Sequence, residues 1–256
     1  MGQTANVVTL KPRTLRAFED YIHTAEEGMQ PSLEGHAAFL WSDCSHERAQ
    51  QVRRRQIVAQ LWAGDWPVKI ANGLIHDWVG AVMVPHVSVE QVLKLVQDYD
   101  HHKDIYAPEV MDSRLLSRDD NHFTIFLRLL KKKIITVVLD TDHQVQYSAV
   151  AAKRWFCRSY TTRIAEVQDT GTEKERVLEP DTGYGFLWRL YSYWKFEEKQ
   201  GGEGVHIECR AISLTRDIPL GLGWIIEPIV RSLPQESLIQ TLECTRRGLG
   251  ETPEQN

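Results

Sequence analysis

Phe186-Leu187-Trp188-Arg189-Leu190-Tyr191-Ser192-Tyr193-Trp194-Lys195-Phe196-Glu197-Glu198-Lys199-Gln200-Gly201-Gly202-Glu203-Gly204-Val205-His206-Ile207-Glu208-Cys209-Arg210-Ala211-Ile212-Ser213-Leu214 is two β-rich runs around a glycine pair. Glycine admits positive φ at both turn positions, so Gly201-Gly202 between such runs predicts a hairpin. Successive strand side chains point to opposite faces, so parity sorts the residues. One face carries Trp188, Leu190, Ser192, Trp194 and Phe196 opposite Val205, Ile207, Cys209, Ala211 and Ser213. The other carries Arg189, Tyr191, Tyr193, Lys195 and Glu197 opposite His206, Glu208, Arg210, Ile212 and Leu214. This register places Lys195 beside Glu208 and Tyr193 beside Arg210. The aromatic face predicts a buried wall. Arg189, Glu208 and Arg210 are expected on a convex, solvated face.

Working outward, Pro219–Trp224 is apolar yet glycine-rich and reads as a flexible connection. Ser232 with Gln235 fits a capping box, Pro234 suits an early helical position, and Leu238, Leu242 and Leu249 mark one face of a closing helix. Upstream, Leu74–Val84 is a β-branched run closed by Pro85. Ser88 then offers an N-cap to a helix with the stripe Val89, Val92, Leu93 and Val96. Strands are predicted at 110–117, 123–130, 134–139, 144–150 and 154–167. Lys131-Lys132-Lys133 is open between turn, bulge and mid-strand. Asp98–Pro108 reads as a polar loop and Asp169–Thr182 as an exposed one. The N-terminal part is mainly helical. Leu15, Phe18, Ile22 and Ala25 form a stripe, residues 28–35 read as a loop, and a second helix is expected over 45–62. Arg53-Arg54-Arg55 reads as a solvated face.

The whole is an α+β plan: an extension over 1–70, a sheet-and-helix domain over 71–250, and a polar tail over 251–256. One helix cannot fill the concavity of a strongly curved sheet, so a cavity is expected. Length and a 42% hydrophobic content suffice for a sizeable core. The net charge of -5 provides no basic surplus, so nucleic acid is not expected as a partner. The four cysteines form no Cys-x-x-Cys pair and read as reduced. No signal-type segment and no membrane-spanning apolar run is visible. A cytoplasmic location is the default expectation, with a mature exported form left open.

Three segments resemble the helix-grip fold shared by START-like lipid-transfer domains, birch-pollen-allergen-type proteins and polyketide cyclases. Val89–Asp98 leading into Tyr106-Ala107-Pro108-Glu109-Val110 is similar to the loop before that family's second strand. The strands Tyr191–Glu198 and Val205–Ser213 are similar to its last hairpin. Arg216-Asp217-Ile218-Pro219 through the terminal helix is similar to its closing element. The resemblance covers about two-thirds of the chain and implies a curved antiparallel sheet wrapped around a long C-terminal helix, with an apolar cavity between them. It carries over no catalytic set and no cofactor.

The chemical motifs are sparse. There is no Gly-x-Ser-x-Gly and no His-Glu-x-x-His. Asp98, Asp100, His101, His102 and Asp104 read as an exposed loop, with a metal site or an acid/base role as alternatives. Arg158 and Arg163 differ in parity, so at most one faces inward on a regular strand. The leading expectation is a binder or carrier of a hydrophobic, lipid-like small molecule. Trp188, Trp194, Phe196, Ile207 and Cys209 would form the wall, Trp224, Leu238 and Leu242 would close it, and Trp78 and Tyr106 would complete the lining. The alternatives are an enzyme acting on an aromatic or polyketide-like substrate in the same cavity, and a structural protein whose cavity is filled. Oligomeric state is not readable.

Overall fold

The computed structural model describes residues 7–62, 67–132, 136–217 and 223–250; the side chains of residues 200 and 223–231 lie outside that description. In chain order the elements are β1 (Val8–Thr9), α1 (Pro12–Leu33), α2 (His46–Arg53), β2 (Val58–Leu61), β3 (Val68–Ile70), β4 (Gly73–Pro85), α3 (Val89–Val96) and α4 (His102–Ile105). There follow β5 (Val110–Asp119), β6 (His122–Lys132), β7 (Thr136–Ala151), β8 (Arg154–Gln168), β9 (Arg176–Val177), β10 (Thr182–Gly183), β11 (Arg189–Glu198), β12 (Gly204–Arg216) and α5 (Gly223–Gly248). The large antiparallel sheet runs β2-β4-β12-β11-β8-β7-β6-β5, with β3 added to β4 and β9 to β8. This is the α+β helix-grip plan.

The hairpin has the register read from its parity: Lys195 opposes Glu208 and Tyr193 opposes Arg210. β4 lies on the far side of β12 and is buried along its whole length. Its even positions Trp78, Val82 and Val84 join Phe196, Ile207 and Cys209 in the concave core, together with α3 and the C-terminal half of α5. Gly80 is where the helix comes closest. A Cβ there would stand 2.8 Å from Leu242 Cδ1 and 3.2 Å from Leu238 Cγ, so a larger residue would require the leucines of α5 to shift.

The convex face is covered, which corrects the expectation of a solvated surface. Phe18, Ile22, Ala25 and Met29 of α1 pack on Ile75, Tyr193, Ile212 and Leu214. Glu208 and Arg210 are buried beneath the N-terminal segment. Each buried charge has partners, as desolvation requires. Glu208 accepts hydrogen bonds from the Trp41 and Ser42 amides, both 2.7 Å. Arg210 grips Asp77 through Nε (2.9 Å) and Nη2 (2.6 Å), lies 3.9 Å over the Trp62 ring, and Tyr21 donates to Asp77 at 2.8 Å. Lys195 donates to the Phe39 carbonyl and to Ser32. Arg158 also faces this side and pairs with Glu26 of α1 at 2.7 Å. Arg53, Arg54 and Arg55 are exposed.

Four local expectations change. Helix α1 continues to Leu33 through the expected loop, because Met29 extends the buried stripe one turn past Ala25. The second helix stops at Arg53, Arg55 takes φ 62°, and Val58–Leu61 pairs with β4 before the boundary drawn at residue 70. The strands expected at 134–139 and 144–150 are one strand, β7, within the described residues. Its polar middle misleads: Asp140 is satisfied by bidentate contact with Arg128 of the neighbouring strand, at 2.7 and 2.9 Å. Lys131 and Lys132 end β6, while Lys133 lies outside the described residues. Finally, Asp98–Pro108 is a pair of short helical turns rather than a polar loop, with Tyr99, His102 and Tyr106 buried at helical spacing.

Asp77→Ala leaves the Arg210 guanidinium buried without its carboxylate. It is expected to lower unfolding free energy by about 3–5 kcal/mol, read from urea denaturation. A loss below about 1 kcal/mol would mean that the pair behaves as a solvated surface pair.

Candidate functional site

A cavity of about 660 Å³ lies between the concave sheet and α5. Its floor follows the inward parity of the strands: Trp78 from β4, Cys209 and Ala211 from β12, Trp194 and Phe196 from β11. Trp194 and Phe196 stack two positions apart, with ring planes within 6° and centroids 6.1 Å apart. Leu238 and Cys244 of α5 form the roof. Near one end, Tyr184, Gly185 and Phe186 border the space. Glu166 fixes that loop by accepting from the amides of Tyr184 (2.7 Å), Gly185 (2.9 Å) and Phe186 (3.3 Å). Burial nonetheless raises its pKa.

Trp78, Tyr106, Trp194, Phe196, Cys209 and Leu238 border the cavity. Ile207 and Leu242 are fully buried in the same core cluster without bordering the open volume. Trp188 is a correction: it packs on the convex side with Tyr193, Ile212 and Leu214. The ladder begins at Arg189, and the approach through Gly183 and Gly185 at positive φ breaks the parity that held inside the strand. Trp224 belongs to α5 by its backbone, and its side chain lies outside the described residues. Most of the Pro219–Trp224 connection is likewise outside them.

The polar groups of the cavity were not legible as a site. His102, expected on an exposed loop, is buried between the rings of Tyr99 (4.7 Å) and Tyr106 (4.9 Å). Its Nε2 lies 3.1 Å from the Val96 carbonyl, which also accepts from Tyr147 at 3.3 Å. Tyr147 and Tyr99 share a hydrogen bond of 2.9 Å, and Tyr106 pairs with Thr245 at 3.1 Å. His143 stands in line with Val145 and Tyr147 on β7, its Nε2 2.9 Å from Thr141 Oγ1. His76 meets Thr215 at 3.0 Å, next to Arg216, whose amide donates to the Gly185 carbonyl. The period-2 row His143, Val145, Tyr147 and the helical spacing of Tyr99, His102 and Tyr106 were the available signals. They matter only once the strand and the turns are known to face inward.

Burial sets the charge state of this lining. It lowers His76, His102 and His143 from 6.5 to about 4, so all three are neutral near pH 7. It pushes Tyr106 up to about 12 and raises Tyr99, Tyr147, Cys157 and Cys209 as well. The charged side chains at the border are Glu109, Lys131, Arg216 and Asp217. Lys131 and Glu109 pair with each other, and Arg216 donates to the Tyr184 carbonyl at 3.3 Å. Among the described residues no group of three or more His, Cys, Asp or Glu side chains is arranged to hold a metal ion.

The fold and the cavity together define a helix-grip protein with an internal apolar chamber. No family model matches the sequence, and no curated protein does. Solved structures similar to the chain include a STAR-related lipid transfer protein from Xanthomonas axonopodis, at 18% identity over 72% of this chain and 98% of that one, with a TM-score of 0.46. Human STARD10 is similar at 10% identity over 77% of this chain and 74% of that one, TM-score 0.46. The Zhui aromatase/cyclase from Streptomyces sp. R1128 is similar at 9% identity over 68% of this chain and 93% of that one, TM-score 0.46.

The buried histidines make stability pH-dependent. Unfolded histidine takes up a proton near pH 6.5 and the folded one near 4, so each costs stability as pH falls through that window. Glu166 and Glu208, raised by burial, act in the opposite sense. His143→Leu isolates one term: between pH 7 and 4.5 the variant is expected to lose on the order of 2–3 kcal/mol less than the parent. Identical losses in urea titrations would mean that His143 is solvated.

Proposed function

We propose that the protein binds and carries a hydrophobic small molecule in the chamber between sheet and C-terminal helix. The observation that carries this reading is the cavity itself: about 660 Å³ within the fold, bordered mainly by aromatic and aliphatic side chains and by histidines and tyrosines that burial keeps uncharged, with Glu109, Lys131, Arg216 and Asp217 as its charged border. Pockets of this size and lining suit a drug-sized apolar ligand. Burial at about 25 cal/mol per Å² of apolar surface supplies the driving force, less the cost of ordering the ligand. In this reading Trp78, Tyr106, Trp194, Phe196, Cys209 and Leu238 touch the ligand.

The inward titratable groups favour carriage over turnover. General acid–base catalysis is most effective when the group's pKa lies near the working pH. The three histidines are pushed far below neutrality and the cavity cysteines far above it, which suits neither a base nor a thiolate nucleophile. No described helix is long and apolar enough to cross a membrane.

Native mass spectrometry of freshly purified protein, followed by organic extraction, tests the reading. A co-purifying apolar molecule of one chemical class is expected. A clean mass that also fails to shift with added apolar probes removes the carrier function. Trp194→Ala is expected to weaken the extracted molecule's binding about tenfold while the thermal unfolding transition remains cooperative, and unchanged affinity would take Trp194 out of the contact surface.

A further inference from the structure

We infer that the chamber is built for an uncharged apolar molecule carrying a hydroxyl group, whose one hydrogen it donates to a free ring nitrogen, that of His102 or that of His143. This deepens the carrier reading and rests on it. The argument is one of hydrogen-bond bookkeeping. A carbonyl oxygen only accepts, so the His102 Nε2 that faces Val96 carries the ring proton. The Thr141 hydroxyl has one hydrogen and donates it to the Leu127 carbonyl at 2.9 Å. Toward His143 it therefore acts as acceptor, and His143 Nε2 also carries its proton. Both rings are thus held in the same tautomer, with Nδ1 as an unprotonated acceptor on the edge away from the anchor.

Neither Nδ1 has a hydrogen-bond partner among the described residues, and both rings border the cavity. The neighbouring hydroxyls are already engaged: Tyr99 with Tyr147, Tyr147 with Val96, Tyr106 with Thr245. The two lone pairs are therefore the open polar positions of this end of the chamber, and both ask for a donor. An ether or hydrocarbon would leave them unsatisfied in an apolar setting, which is costly. A carboxylate would bring another acceptor against them. Lys131, opposite Val137 and six positions along β7 from His143, is engaged by Glu109. A hydroxyl on an otherwise apolar body meets both the wall and one of the acceptors.

The matched probes 2-naphthol and 2-methoxynaphthalene separate the two demands. The ether is larger and more apolar, so burial alone ranks it first. The structure predicts the reverse, with naphthol binding about threefold to tenfold tighter by calorimetry. In the His102→Phe/His143→Leu double variant, which lacks both acceptors, the preference should fall to twofold or less, while ether affinity holds. The double variant is checked for a cooperative unfolding transition, and the comparison on the unaltered protein stands even if it fails to fold. Ether affinity equal to or above that of naphthol on the unaltered protein overturns the hydroxyl site and leaves the apolar chamber in place. Binding of neither probe overturns the carrier reading itself and this inference with it.

Discussion

A β-sheet has two faces, and along β4, β12 and β11 both are withdrawn from water. On one side stand α5, α3 and the apolar chamber; on the other stand α1 and the segment that follows it. That requirement governs the charges. Strands buried on one face alternate apolar with polar residues, but here the alternate positions are also roofed, so Asp77, Arg210, Glu208 and Lys195 must find partners inside the protein. The Asp77–Arg210 pair is the centre of this arrangement. It joins β4 and β12, which pair along their whole lengths, takes a hydrogen bond from Tyr21 of α1, and lies under Trp62. The N-terminal segment is therefore the second wall of the sheet, and removing it would strand several charges in a half-dry face.

The chamber follows from the same geometry. Helix α5 descends onto the sheet at Gly80, where Leu238 and Leu242 touch the backbone of β4, and it packs mainly on β4, with lesser contact to β2 and β12. The inward faces of β6, β7, β8 and β11 curve past it, packing in part on α3 and Tyr99, and the cavity lies between these faces and α5. Among the aliphatic and aromatic side chains of its lining stand Tyr99, Tyr106, Tyr147, His102 and His143, which hydrogen-bond to hydroxyl or carbonyl groups. Burial keeps these groups uncharged, so the interior stays compatible with an apolar occupant while offering directional contacts.

Legibility differed between the parts for physical reasons. Inside the hairpin, side-chain period and turn together leave one register, and the register observed is the one the residues predict. One residue outside the ladder the argument failed, because Trp188 follows two glycines at positive φ and its direction is set by the turn. β7 was divided at its polar middle, since Asp140 looks like a breaker until Arg128 is known to stand beside it. Residues 98–108 looked like a solvated loop because they are rich in Asp and His. Only the helical turns reveal that Tyr99, His102 and Tyr106 share the inward side.

The sequence by itself determined the strand alternation, the hairpin register, the helix stripes and the α+β plan, because these depend on neighbours a few residues apart. Tertiary structure decided which charges are buried, that the convex face is covered, and that His102 and His143 are buried at the border of the chamber. Those outcomes depend on partners far along the chain, such as Trp41 with Glu208, Tyr21 with Asp77, and Val96 with Tyr147. No local pattern records such meetings, since a charged or polar residue on a strand looks the same whether its far side is water or another part of the protein.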